Sequence, residues 1–326
     1  MVLATEAAFA LISGLLAVNA LLPRPALWAL FLLGALQGGL YALQRPSLDA
    51  MLPRLVPREE LTAAGALRMV GGTAGSLLGP PAAGLLIAVS GVALTYGVDV
   101  ASFGISLVAL GMMRALPPPA GAQRPSLRGV LDGLGYAWSR KDLLGTYLTD
   151  MVAMFFGMPS ALFPVIAAGF GGPAVLGLLW SAVAAGGALA LVTSGWTSRV
   201  RRQGWGVILA ATTWGVGITL FGLTASLPVA LCALALAGAS DSVSGIFRLA
   251  IWNRSVPDAL RGRLASIEMI SYSSGPLLGD FESGTVASLW SVRVSVVSGG
   301  LLCVAGCLLC GLLLPAFRRY DDQSLP

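Results

Sequence analysis

Five stretches of this chain run for about twenty residues without a single charged side chain: 26–44, 69–90, 173–197, 204–226 and 294–317. An α-helix rises 1.5 Å per residue, so about 20 apolar residues cross the roughly 30 Å hydrocarbon layer of a bilayer. Three further runs hold one acid each: 1–22 with Glu6, 92–113 with Asp99, and 143–168 with Asp150. The run 227–251 holds Asp241 and Arg248, and 264–290 holds Glu268, Asp280 and Glu282. The sequence therefore predicts an all-α membrane protein with about ten transmembrane helices. Composition agrees. Only 11% of the residues are charged and 56% are hydrophobic, where a water-soluble domain carries about 25% charged residues to solvate its surface.

The basic residues give the orientation, because short cytoplasmic loops of membrane proteins accumulate Lys and Arg. One set of alternate connections, with the C-terminal tail, holds Arg45, Arg54, Arg58, Arg114, Arg124, Arg128, Arg140, Lys141, Arg199, Arg201, Arg202, Arg254, Arg261, Arg263, Arg318 and Arg319. The other set holds Arg24 and Arg293. Both termini are expected in the cytoplasm, as an even number of spans requires. The net charge of +5 is thus a topology signal and not a nucleic-acid footprint. There is no His, which removes the commonest zinc ligand and general base. Cys303, Cys307 and Cys310 lie inside an uncharged run and read as small helix residues, not as metal ligands. No nucleophile–base set or phosphate loop is visible, so an enzyme is not expected and no cofactor is implied.

The chain aligns with itself at an offset of 200. Ala35-Leu36 and Gly38 meet Ala235-Leu236 and Gly238; Arg54, Val56 and Pro57 meet Arg254, Val256 and Pro257; Gly75, Gly79 and Gly84 meet Gly275, Gly279 and Gly284. The matching spans share one orientation, so the repeat is parallel. A polar stretch opening on Pro117-Pro118-Pro119 separates the halves. The expected organisation is a four-span N-terminal half-bundle (1–116), a cytoplasmic linker (117–142) and a six-span C-terminal half-bundle (143–326). At that offset the spans between 143 and 200 have no partners in the first half. The expectation is a six-plus-six architecture seen without its first two helices.

In Gly75-x-x-x-Gly79-Pro80-x-x-Ala83-Gly84 small residues recur on one helix face, and Pro80 removes an amide from the ladder. This resembles the antiporter motif in the fifth helix of major facilitator superfamily exporters, with Ala83 where a glycine is usual; the same spacing also suits plain helix packing. Pro257, Asp258, Arg261 and Arg263 resemble that superfamily's cytoplasmic loop before helix eleven, which can form charge pairs that lock one transport state; positive-inside anchoring accounts for the arginines equally. Ser194-Gly195 followed by Arg199, Arg201 and Arg202 resembles a worn second copy of its basic loop motif, without the usual acid. Together with Asn19 to Pro23, Tyr96-Gly97 and Pro117 to Pro119, these residues resemble the branch that holds enterobactin exporters and related secretion and macrolide-efflux proteins.

That resemblance implies a major facilitator-type bundle of two parallel pseudo-repeats in the bacterial inner membrane, acting as a monomer on a small amphiphilic substrate such as a siderophore or drug. It implies export by alternating access with protons as the coupling ion. A lipid or lysolipid flippase and an inactive remnant serving as a membrane partner stay open beside it. Charged residues at a helix centre cost about 2.5–3.5 kcal/mol and must face the bundle or a watery cavity. The candidates to face proton or substrate are Arg68, Asp150, Asp241, Arg248, Glu268, Asp280 and Glu282. Asp241 and Arg248 are seven apart, two helical turns, and share a face. Arg68 and Glu268 occupy equivalent repeat positions, either as an ion pair between halves or as side chains snorkelling to the interface.

Overall fold

The computed structural model describes residues 2–113, 138, 140–256 and 261–321, with many side chains in 42–58 and 261–273 left out of the description. Among the described residues every regular element is helical. The chain divides into two compact units, Met1–Ala122 and Gln123–Pro326. Most of the linker expected at 117–142 lies outside the described residues.

Unit 1 holds α1 (Val2–Leu21), α2 (Leu27–Leu55) and α3 (Leu61–Gly111). At 51 residues α3 is long enough for two crossings, and it breaks at Gly91, where φ is 80° and ψ 170°. A residue with a Cβ resists that conformation, which is why the two sequence runs on either side of Gly91 are joined by so little chain. The α1–α2 connection is closed by one side chain: Asn19 Oδ1 accepts from the Ala26 amide at 2.9 Å. α1 then packs antiparallel to segment 92–111. Phe9 stacks on Phe103 at 5.6 Å, and Ser13 Oγ donates to Asp99 Oδ2 at 2.6 Å. Ile12, Leu16 and Leu33 form the small core there, with Leu40 and Tyr96 against them.

Unit 2 holds α4 (Lys141–Gly157), α5 (Phe163–Phe170), α6 (Pro173–Val192), α7 (Gln203–Leu223), α8 (Leu227–Ser255), α9 (Arg261–Leu289), α10 (Val292–Leu313) and the short α11 (Pro315–Arg318). Counting α3 as two passes and α4 with α5 as one, the helices among the described residues make ten passes, the number read from the sequence. Among the described residues, seven helices are long and apolar enough to cross a membrane. The run 143–168 is not one helix. It breaks at Met158 and Pro159, where Pro159 has no amide to continue the ladder, and a 3₁₀ turn Ser160–Leu162 leads into α5. The run 294–317 likewise stops at Leu313, ahead of Pro315.

Small residues set the packing in unit 2. A Cβ added at Gly186 would collide with the Ala235 backbone, and one at Gly238 with the Val183 backbone, so α6 and α8 cross at near backbone contact. This is how helices associate where lipid tails supply no hydrophobic drive between them. The core on either side is apolar: Leu179, Trp214, Ile218, Leu234, Val296, Cys303 and Cys307 are buried. The Trp214 indole N–H donates to Gly157 O at 2.9 Å, taking up a carbonyl freed where α4 ends.

Candidate functional site

Three charged residues of unit 2 converge between α4 and α8. Asp150 lies in the middle of α4, and Asp241 and Arg248 lie two turns apart on one face of α8. The Arg248 guanidinium pairs through Nη1 with Asp150 Oδ1 and through Nη2 with Asp241 Oδ1 at 3.5 Å. The Asp150 and Arg248 side chains are 10% and 16% exposed, while Asp241 is 40% exposed. The Arg248 Nε is buried without a hydrogen-bond partner. One cation held between two carboxylates leaves a net charge of −1 in an apolar bundle. Truncating one member of such a buried set leaves uncompensated charge and costs about 3–5 kcal/mol. The shared face of Asp241 and Arg248 was legible from their spacing. The arrival of Asp150 was not, because nothing in a linear sequence reports which helices are neighbours.

Elsewhere the intramembrane acids hold local structure. Asp280 Oδ1 accepts from Ser160 Oγ at 2.5 Å and from the Ala161 amide at 2.8 Å. It therefore caps the turn that restarts the chain after Pro159. Glu282 is half-buried, and its Oε2 has no hydrogen-bond partner. In unit 1, Glu6 Oε1 accepts from Gln44 Nε2 at 2.9 Å, beside a cavity of about 500 Å³ edged by Phe9, Gln37, Tyr41 and Phe103.

Arg68 is exposed on α3. The backbone of Glu268, Arg261 and Arg263 is helical but their side chains lie outside the described residues, as do Pro257 and Asp258 altogether. Gly75, Gly79 and Pro80 lie in the first segment of α3 with Gly84 buried beyond them. A Cβ at Gly75 or Gly79 would meet nothing within 4 Å.

Sequence reasoning missed Asp142. Arg140 grips its carboxylate through Nε at 3.0 Å and Nη2 at 2.7 Å, and Ser255 Oγ donates to it at 2.8 Å. This ties the start of α4 to the end of α8, the two helices of the ion cluster. The available signal was the acid inside the run Arg140-Lys141-Asp142, which the sequence argument used only for its positive charge.

Apolar helices long enough to cross a membrane, with a partly buried ion cluster of net charge −1 on two of them, are features of multi-pass membrane transporters. Residues 1–280 match the profile of the Major Facilitator Superfamily, and the chain belongs to that superfamily. It is 33% identical over 313 residues to Enterobactin exporter EntS of Shigella boydii serotype 18, covering 94% of this chain and 74% of that protein. To Enterobactin exporter EntS of Escherichia coli O1:K1 / APEC it is 32% identical over 313 residues, with the same coverage. Among solved structures, a POT family transporter in complex with 5-aminolevulinic acid superposes with a TM-score of 0.70 at 12% identity, over 96% of this chain and 82% of that one. That likeness establishes the fold. The chain is accordingly a transporter-type, multi-pass inner-membrane protein.

Proposed function

We propose that this protein exports a small amphiphilic molecule of the siderophore type by alternating access, exchanging it for protons at the Asp150–Arg248–Asp241 centre. The observation that carries the reading is the single guanidinium shared by two carboxylates on different helices. Arg stays charged at any pH of interest, so the variable is the acids. A proton on Asp241, the more exposed of the two, removes its hold on Arg248 and leaves the Asp150 pair. Loss of that proton restores the bridge. The cluster thus converts proton occupancy into a change in how tightly α8 is held to α4 and biases two conformations by differential interaction. The enterobactin exporters among its relatives support the substrate class.

In this reading both termini face the cytoplasm, the protein works as a monomer, and 1–116 and 143–326 are the two moving halves joined by 117–142. Gly75, Gly79, Pro80 and Gly84 form the exporter's transport motif on α3. Pro257, Asp258, Arg261 and Arg263 form the cytoplasmic lock, and Arg68, Glu268 and Glu282 supply further polar contacts along the path. Asp280 serves the capping role described above.

The test is uptake of enterobactin into everted membrane vesicles carrying the full chain, with an imposed pH gradient. Accumulation that a protonophore collapses and that Asp241→Asn removes is the expected result. Accumulation indifferent to the protonophore would overturn proton coupling. Absence of any flux, with the protein present and folded, would favour the inactive-remnant reading.

A further inference from the structure

At the arginine-rich end of unit 2, an apolar groove of about 460 Å³ runs between α7 and α8. Its floor is closed, with Ala210, Ser240 and Phe247 buried at 7%, 7% and 2% exposure. Its walls stand open, with Trp196 and Leu209 exposed. Gly206 shapes the floor: a Cβ there would lie 2.7 Å from the Phe247 ring. The groove ends at Arg202 and Trp205, and these same two residues begin a second, polar pocket of about 440 Å³ completed by Arg318, Arg319 and Asp321. The Arg318 guanidinium carbon sits 6.0 Å from the centroid of the Trp205 ring.

We propose that this composite site binds an anionic phospholipid, with one acyl chain in the groove and the headgroup phosphate on Arg202, Arg318 and Arg319. Three positive charges against the one of Asp321 leave +2 at the mouth, complementary to a phosphodiester. Arginine forks match phosphate oxygens in geometry as well as charge. The volume is in the range of built ligand sites, and Trp beside Arg at a helix end is the composition of the bilayer interface. Against a second copy of the chain as occupant, a two-fold contact would bring this positive mouth against itself. Basic pockets between transmembrane helices on the cytoplasmic side bind anionic lipid headgroups. The proposal goes beyond the transport reading and stands whether or not export is demonstrated.

The experiment is tryptophan quenching of the full-length protein in detergent by phosphatidylglycerol or phosphatidylcholine with the same dibrominated acyl chain. The chain has 8 Trp, so the local signal is the difference between the wild type and Trp205→Phe. Half-quenching by phosphatidylglycerol is expected at a lipid fraction about tenfold below that for phosphatidylcholine. Combined R202Q, R318Q and R319Q should bring the two curves together, and the corresponding Lys variants should keep most of the difference. Should the Gln variant not fold, about 1 M salt on the wild type tests the same term by screening. Equal quenching by both lipids, or a preference that survives both the Gln substitutions and salt, overturns the proposal. Competition by inorganic phosphate would reassign the mouth to a free anion. A dimer that shields Trp205 from both lipids would reassign the groove to a self-interface.

Discussion

The two copies of the internal repeat carry the same glycine face and use it differently. In unit 2, a Cβ at Gly275 would lie 3.0 Å from Met154 Cβ, and one at Gly279 would lie 2.9 Å from Phe155 O and closer still to Met154 O. There the small residues do what their spacing implies, admitting α4 to backbone contact with α9. In unit 1, Gly75 and Gly79 meet nothing within 4 Å. The contrast extends to whole helices: the most apolar window of α3 is 6% buried, against 50% for α7. A motif in sequence records a capacity for close approach; whether the approach happens depends on what stands opposite. The acids in the apolar helices of the two units also differ in partner. Unit 2 sets Asp150 and Asp241 on a cation and Asp280 on a hydroxyl and a backbone amide, whereas unit 1 sets Asp99 on a hydroxyl and Glu6 on a side-chain amide.

Four substitutions break or sharpen that contrast. The largest effect is expected from Arg248→Ala, which strands Asp150 in the bundle and should remove about 3–5 kcal/mol. It should be read as lost monodispersity in detergent, with Arg248→Lys retaining part of the stability; a wild-type melting temperature for Arg248→Ala would mean that the cluster is solvated and not a buried ion set. Next comes Gly279→Leu, which drives a side chain into the Met154 carbonyl and should cost about 3 kcal/mol. Gly79→Leu, its repeat-mate, should stay within about 0.5 kcal/mol in the same thermal-shift measurement. Equal losses at the two positions would erase the distinction between the faces. Comparably small is Asp99→Asn, where the Ser13 contact survives in weaker form and about 0.6 kcal/mol is at stake. A loss there as large as that of Arg248→Ala would show that unit 1 depends on charge as heavily as unit 2.

How much of this was legible in the sequence follows from which interactions are local. The ten passes were, because the length of a charge-free run is a property of one segment and the bilayer sets its threshold. The break at Pro159 was hidden by the same logic: 143–168 carries only one charge, Asp150, and hydropathy does not register a missing amide. At the site, the 241/248 pairing was readable because seven residues make two helical turns. Asp280 was read as facing proton or substrate, and its Oδ1 accepts from Ser160 and Ala161, 120 and 119 residues away. Such a contact depends on the register between two helices, which a single sequence does not encode visibly. The glycine faces illustrate the remainder, since identical spacing carries no record of the opposing surface.

Gly91 has a consequence for how the first unit can vary. With one glycine as the whole joint between segments 61–90 and 92–111, the angular phase of the second is geared directly to the first. Adding or deleting a single residue there would turn the downstream helix by about 100°, carrying Asp99 away from Ser13 and Phe103 away from Phe9. Insertions of the kind that long surface loops absorb have no slack to draw on at this corner, so its length is expected to be as invariant as its residue type.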